Sequence, residues 1–101
     1  MATLFTKIIN REIPAKIIYE NDLVCAFSDI QPQAPHHFLI VPKVEIPTLN
    51  DLNPENIHYV GALFLAAKEI AQTLGVSESG YRVVMNCNKD AGQTVYHLHL
   101  H

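Results

Sequence analysis

The sequence predicts an α+β fold: a mostly antiparallel five-stranded sheet packed by one long helix, with a short helix at the N-terminus. Five short segments are rich in β-forming residues. One segment, residues 54–74, carries apolar residues at helical spacing. It is the only helical pattern between consecutive strands, whereas a doubly wound parallel sheet needs a crossover helix between most of its strands.

The size and charge of the chain limit its class. The 101 residues have room for one domain, which we place at residues 1–101. The net charge is −3 and the seven basic residues are scattered, so no basic stripe is available to follow a nucleic-acid backbone. We find no membrane-spanning apolar run and no signal-peptide core. The two cysteines are too few for a disulfide scaffold. We therefore expect a cytoplasmic protein that binds neither nucleic acid nor membrane.

The N-terminal third predicts one short helix and a hairpin. Residues 4–10 fit a helix that ends before Pro14. Residues 16–20 and 23–27 are predicted strands, and Asn21-Asp22 between them is typical of a turn. The two strands are therefore expected to pair with each other.

A third strand follows a loop that contains two prolines. The loop covers residues 29–35. The strand is predicted over residues 36–41, and Pro42 closes it.

The long helix has the clearest boundaries. Asn53 is the predicted N-cap and Pro54 the first helical residue, where its missing N–H does no harm. Gly75 is predicted to end the helix. One face carries the apolar residues Ile57, Val60, Leu63, Phe64, Ala67, Ile70, Ala71 and Leu74.

The last two strands are predicted over residues 81–86 and 95–101, joined by a loop at 87–94. In the fifth strand, three of the six histidines alternate with two leucines. These histidines are His97, His99 and His101. Because side chains of a strand alternate between its faces, the three imidazoles are expected on one face, about 6.6 Å apart, with the leucines facing the core.

Three interpretations of these imidazoles remain open. The first is a solvated face that happens to be rich in histidine. The second is a metal site, since imidazole suits zinc, although no Cys-x-x-Cys pair is present. The third is chemistry at phosphorus, because a neutral imidazole, with an ordinary pKa of about 6.5, is a competent nucleophile near neutral pH. Flanking histidines can then hold phosphate oxygens and protonate a leaving group.

The loop before the fifth strand favours the third interpretation. Residues 90–94 offer backbone N–H groups, the small Gly92 and the Thr94 hydroxyl, which together suit an anion. Taken alone, Gly92 is equally typical of a simple turn. Because it lies directly before three aligned histidines, the loop favours anion binding over a simple turn.

The pattern His-φ-His-φ-His at residues 97–101, with φ apolar, resembles the signature of the histidine-triad (HIT) superfamily. Nearly the whole chain is similar to the nucleotide-binding protein branch, Hint. The resemblance implies a HIT-like fold, a homodimer whose two sheets join, and a purine nucleoside phosphoramidase without a cofactor. Such an enzyme hydrolyses nucleoside 5′-phosphoramidates through a covalent nucleotidyl-histidine and binds AMP- or GMP-type nucleotides. The similar stretches are residues 7–9, 12–14, 29–35, 37–43, 80–82 and 92–97.

The resemblance also implies roles by position. His99 matches the nucleophile and His101 the histidine on the phosphate. His97 matches the residue that orients the nucleophile, supported by His37 of the third strand. Asp29 matches the carboxylate on both ribose hydroxyls. The remaining nucleotide-binding positions are Ile30 beside the ribose, Asn86 on the phosphate or ribose side, the phosphate loop Gly92, Gln93 and Thr94, and the base-pocket residues Phe5, Ile8, Ile13 and Phe27. On the residues alone, Asp29 also fits a turn, and the four base-pocket residues also fit a core.

Two departures from the family accompany the resemblance. Some relatives carry a zinc-binding Cys-x-x-Cys pair where this chain has Thr3 and Thr6, so we expect no metal here. The family domain also continues beyond the position of His101, so its C-terminal end is expected to be missing from this sequence.

Two other functional classes stay open. One is a non-catalytic, dimeric scaffold that binds purine nucleotides. The other is a metallohydrolase, which would lose its activity to chelators.

Overall fold

An antiparallel sheet in the order β1–β2–β3 organises the computed structural model, which describes residues 2–101. The strands are β1 (Ile17–Glu20), β2 (Val24–Ser28) and β3 (Phe38–Pro42). β2 pairs with β3 in continuous register, and the β1–β2 pairing has one irregularity between Ile17 and Tyr19. The predicted hairpin is confirmed. Its turn is closed by the Asn21 side chain, whose Oδ1 accepts from the N–H groups of Leu23 and Val24 at 2.8 and 3.0 Å.

β3 starts later and ends later than predicted. His37 lies just before the strand, because its ring accepts from the Gln33 N–H and so belongs to the preceding loop. Pro42 is included because it pairs with Val24 as the last residue of the strand, where a missing N–H is tolerated.

The short N-terminal helix is confirmed as α1 (Leu4–Ile9). Thr3 is its N-cap, and the Thr3 Oγ1 accepts from the Thr6 N–H at 3.1 Å. The helix ends at Asn10, whose own N–H donates to the Thr6 carbonyl.

The long helix α2 covers Ile57–Leu74, three residues shorter at its start than predicted. The Asn53 Oδ1 accepts from the N–H groups of Glu55 and Asn56, so residues 53–56 form a separate turn and Asn56 becomes the N-cap. Gly75 ends the helix as predicted, with a left-handed φ of 74°. Two short 3₁₀ helices complete the structure, at Leu49–Asp51 and Lys89–Ala91.

The prediction of five strands is wrong: residues 2–101 form three. The segment predicted as the fifth strand meets β3 at one point, where Ile40 and Leu100 exchange two backbone hydrogen bonds of 2.9 and 3.0 Å. The segment predicted as the fourth strand meets the C-terminal segment only at Val84 and His101, which also exchange two backbone hydrogen bonds. Because a strand needs a ladder of such pairs, isolated pairs hold both segments without making them strands.

The core lies on both faces of the sheet. On one face, α2 packs against a cluster that includes Leu98 and Leu100. On the other face lies a second cluster: Phe5, Ile8, Cys25, Phe27, Leu39 and Val41. Both cysteines are free thiols, Cys25 buried and Cys87 half-buried. Within residues 2–101, neither α-helix combines the length and apolarity needed to cross a bilayer.

Candidate active site

The C-terminal segment alternates between the two faces as the sequence predicts. Leu98 and Leu100 pack on the α2 side. The Phe5 ring of α1 lies on the opposite side, with its centroid 5.8 Å from the ring of His97 and 5.1 Å from that of His99. The rings of His99 and His101 are 4.9 Å apart. The His97 and His99 rings therefore lie on the face that α1 covers, and the His101 ring lies beside His99.

The His99 ring is held in the tautomer that a nucleophile needs. Its Nδ1 lies 2.7 Å from the carbonyl oxygen of His97. A carbonyl only accepts, so Nδ1 carries the proton and Nε2 keeps a free lone pair. The ring is 8% exposed, so that lone pair is shielded from most of the solvent.

The His97 ring is fully enclosed and bonded on both sides. Its Nε2 donates to the Pro42 carbonyl at 2.8 Å, and its Nδ1 lies 2.7 Å from the Thr3 Oγ1. Burial lowers the pKa of His97, so the ring is neutral near pH 7 and its Nδ1 accepts from the Thr3 hydroxyl. With neither ring nitrogen free, His97 can orient its neighbours and cannot attack a substrate.

A backbone amide sets the direction of the hydrogen bonds through His37 and His101. The Gln33 N–H donates to Nδ1 of His37 at 2.9 Å, so His37 carries its proton on Nε2. That nitrogen lies 3.1 Å from Nδ1 of His101 and 3.3 Å from Oδ2 of Asp29. When His37 donates to His101, the His101 proton must sit on Nε2, available to a phosphate oxygen or a leaving group.

One group in residues 2–101 has the composition of a metal site. Possible ligand atoms of Asp29, His37 and His101 lie within 4.8 Å of one another. A metal-binding histidine normally donates its other ring N–H to an acceptor. Here the other nitrogen of His37 faces the Gln33 N–H donor, so Nε2 holds the ring proton that a metal would displace. The arrangement suits a hydrogen-bond relay better than a metal ion.

The predicted ribose ligand joins this relay. Asp29 Oδ1 accepts from the Gln31 N–H at 2.8 Å, which closes a turn, and Oδ2 faces His37. Ile30 is 91% exposed beside it. Of the predicted base-pocket residues, Ile13 packs at the edge of the second core cluster and the other three are buried in it: Phe5, Ile8 and Phe27.

The predicted phosphate loop is held mainly by its own backbone. The N–H groups of Gly92 and Gln93 donate to the carbonyls of Lys89 and Asn88. The Gln93 side chain is buried and fully bonded: its Oε1 accepts from the Asn88 N–H, and its Nε2 donates to the carbonyls of Pro47 and Val95. Gly92 has a φ of 87°, which a glycine adopts without strain. Thr94 is exposed.

A cavity of about 830 Å³ adjoins one end of the histidine row. Asn86, His37 and His101 line it, together with apolar residues of α2 such as Ile70 and Leu74. His99 is not part of its wall, so the cavity meets the relay at His37 and His101 and does not contain the candidate nucleophile.

Two partners of the histidines were not predicted from the sequence. Thr3 was noted only as a position where relatives carry cysteine, and no role was predicted for Gln33. A threonine directly before an apolar helical run is an N-cap signal, which makes Thr3 recognisable as a fixed residue. The Gln33 contact uses a backbone amide, for which no side-chain signal exists.

We expect the protein to lose stability as the pH falls through the histidine range. Burial lowers the pKa of His97 and of His101, and for His101 the neighbouring His99 and His37 lower it further. The unfolded chain, with histidine pKa values near 6.5, then binds protons more readily than the folded chain. The stability present above about pH 6.5 is therefore lost as the pH falls through the folded pKa values.

Urea titrations of the free energy of unfolding at several pH values test this expectation. His101→Gln should lose less stability on acidification than the unmodified chain. His58→Gln, which removes an exposed imidazole from α2, is the matched control. A free energy of unfolding with the same pH dependence in the unmodified chain and in His101→Gln would contradict the assignment.

Comparisons with known proteins agree with this geometry. The family model of the HIT domain matches residues 10–101. A curated relative, "Purine nucleoside phosphoramidase" of Escherichia coli (strain K12), is 52% identical over 99 residues, covering 98% of this chain and 83% of the relative. The crystal structure of a HIT family hydrolase from Legionella pneumophila Philadelphia 1 superposes with a TM-score of 0.94 at 47% identity, covering 98% of this chain and 88% of that one. A histidine triad nucleotide-binding protein from Candida albicans superposes with a TM-score of 0.88 at 31% identity, covering 98% and 71%.

Proposed function

The chain belongs to the HIT domain family, and we infer that it is a purine nucleoside phosphoramidase. The observation that carries this function is the His99 ring, which keeps its Nε2 lone pair free because Nδ1 donates to the His97 carbonyl. Identity of 52% to a phosphoramidase over nearly the whole chain supports the same reaction class. The substrate class is nucleoside 5′-phosphoramidates, in which a nitrogen leaves phosphorus.

The reaction proceeds in two displacements at phosphorus. His99 Nε2 attacks phosphorus, a bond from Nε2 to phosphorus forms, and the bond from phosphorus to the leaving nitrogen breaks with its electron pair on that nitrogen. The leaving amine takes the Nε2 proton of His101, which gives it from its protonated, cationic form and so becomes a neutral ring beside His37. Water then attacks phosphorus while His101 takes one of its protons, the bond from His99 Nε2 to phosphorus breaks with its electron pair on Nε2, and the nucleoside monophosphate leaves.

The nucleotide-binding roles are proposals that the contacts support unequally. Both Asp29 oxygens have lone pairs left after their contacts with Gln31 and His37, so they can accept from two ribose hydroxyls. The exposed Ile30 side chain offers an apolar surface beside that carboxylate. Phe5 contacts the His99 ring and fits a pocket wall. The other assigned contacts are Ile8, Ile13, Phe27, Asn86, Gly92, Gln93 and Thr94, and of the loop residues Thr94 has the most available side chain.

Trapping the covalent intermediate tests the reaction. We expect adenosine 5′-phosphoramidate to be hydrolysed to AMP in the presence of a chelator. We also expect a slow analogue to add one nucleotidyl group to the chain, found by mass spectrometry on the peptide that contains His99. AMP release that requires added metal, without this adduct, would favour a metallohydrolase. Nucleotide binding without any AMP release would favour the scaffold alternative.

We also propose that the protein is a homodimer that binds its partner copy through α2. Ile57 and Phe64, which the sequence pattern places on the apolar face of the helix, are half exposed in the structure, and with Leu65 and Gly61 they form an apolar stripe on the outer side of α2. These positions follow helical spacing and so lie on one face. A contiguous exposed apolar stripe is typical of a protein–protein interface.

The free thiols support a reducing compartment, and we propose the cytoplasm.

Phe64→Glu should convert the dimer to a monomer. Phe64 is 49% exposed at the centre of the stripe, and a buried, unpaired carboxylate at a dimer interface costs several kcal/mol. Light scattering coupled to size-exclusion chromatography measures the mass. Leu4→Glu, at a similarly exposed position on α1 across the sheet, is the control. A Phe64→Glu protein that keeps the dimer mass would exclude this face.

A further inference from the structure

Thr3 is the hydrogen-bond partner that fixes the buried His97 ring. The Pro42 carbonyl accepts from His97 Nε2, so the neutral ring must accept at Nδ1. The Thr3 Oγ1, at 2.7 Å, is the group that donates to it. These two residues lie 94 positions apart in the chain, so the bond ties the first helix to the last segment.

Thr3 is itself held in one orientation by Thr6 and Glu45. Its Oγ1 accepts from the Thr6 N–H at 3.1 Å. Two acceptors lie within reach of its hydroxyl proton, His97 Nδ1 at 2.7 Å and Thr6 Oγ1 at 3.2 Å, and His97 is the closer. The Thr3 N–H donates to Glu45 Oε1 at 2.8 Å, and the Thr6 hydroxyl donates to the same oxygen at 2.7 Å. Glu45 thus anchors the start of α1 to the loop that follows β3.

The same network reaches the nucleophile along two routes. The His97 carbonyl accepts from His99 Nδ1, so the position of residue 97 sets both the tautomer and the direction of the His99 ring. Thr3 also caps α1, which places the Phe5 ring edge-on against His99, with centroids 5.1 Å apart and planes at 82°. A shift of Thr3 would therefore move both supports of the His99 ring.

We propose that Thr3 is a positioning residue for the reaction at His99: its hydroxyl holds His97, and through His97 and Phe5 it fixes the aim of the His99 lone pair. This inference rests on the proposed phosphoramidase function. Thr3 touches neither substrate nor phosphorus in this role. Its main effect is on kcat, since Phe5 is the one proposed nucleotide-binding residue that Thr3 positions.

Three variants isolate the Thr3 hydroxyl. Thr3→Val keeps the shape and removes the hydroxyl, Thr3→Ser keeps the hydroxyl, and Thr73→Val removes a threonine hydroxyl from an exposed site on α2. In Thr3→Val we expect kcat to fall about tenfold with KM changed less than about twofold, because misplacing a reacting group costs rate more than binding. Thr3→Ser and Thr73→Val should retain kcat. The assays are run well below the melting temperature of each variant, so that unfolding caused by the lost helix cap does not lower the measured kcat.

Nitrogen NMR of the His97 ring gives a readout without turnover. The spectrum of the unmodified chain should report a neutral ring with its proton on Nε2. In Thr3→Val the Nδ1 resonance should shift because its donor is gone, and Thr3→Ser should restore it. A lower melting temperature with unchanged kcat in Thr3→Val would mean that Thr3 only caps α1, and would overturn the proposal. An unmodified chain without phosphoramidate turnover would instead refute the proposed function, while the NMR shift would still report on the Thr3 contact.

Discussion

Replacing His99 with alanine should lower phosphoramidate turnover on the order of a thousandfold or more, because no other group can form the covalent bond to phosphorus. Neither His97 nor His101 can substitute for it. Both nitrogens of His97 are occupied, and His101 faces His37 through Nδ1. The fold should persist, since His99 contributes one hydrogen bond to a backbone carbonyl and two ring contacts, with Phe5 and His101.

Steady-state kcat on a nucleoside phosphoramidate measures the loss of turnover. A circular dichroism spectrum shows whether the fold persists. His58→Ala is the matched control, because it removes an exposed histidine from α2. A His99→Ala protein that keeps turnover within tenfold of the unmodified chain would reject His99 as the nucleophile.

Leu98→Ala should lower the free energy of unfolding by about 3 kcal/mol, the usual cost of emptying a fully buried leucine site. Leu98 is 0% exposed and belongs to the core cluster against α2 with Leu63 and Val24. The loss is a large part of the 5–15 kcal/mol that is typical for the total stability of a small domain.

Urea unfolding followed by circular dichroism measures this loss. Leu49→Ala, at a half-exposed leucine, should change the free energy of unfolding by less than about 0.5 kcal/mol. Equal losses in the two variants would mean that Leu98 is not a core residue. Together, the two experiments test whether Leu98 serves the stability of the fold while its neighbour His99 serves the reaction.

Local patterns in the sequence predicted the parts of the fold that depend on near neighbours. The turn at Asn21 uses its own side chain, and the end of α2 at Gly75 uses a conformation that glycine adopts easily. The alternation of His97, Leu98 and His99 needs only an extended backbone. These features involve residues a few positions apart, and each was predicted from the sequence.

Most features that were not predicted from the sequence depend on partners far apart in the chain. Residues 81–86 have strand-forming composition but meet the C-terminal segment at one pair, and strand propensity depends strongly on such context. The start of α2 is the exception, because it moved through a local contact: the Asn53 side chain closes a separate turn. In the site, the row of imidazoles was predictable, whereas the Thr3 contact with His97 spans 94 positions and no local pattern indicates it.

The donor that sets the His37 tautomer is the main-chain N–H of residue 33. Every amino acid except proline supplies that group, so the side chain at this position is free to vary without reversing the proton order from the loop to His101. Side-chain substitutions at position 33 should therefore leave the protons on Nε2 of His37 and Nε2 of His101, as long as the loop keeps its backbone conformation. Proline there is the one substitution that removes the donor outright.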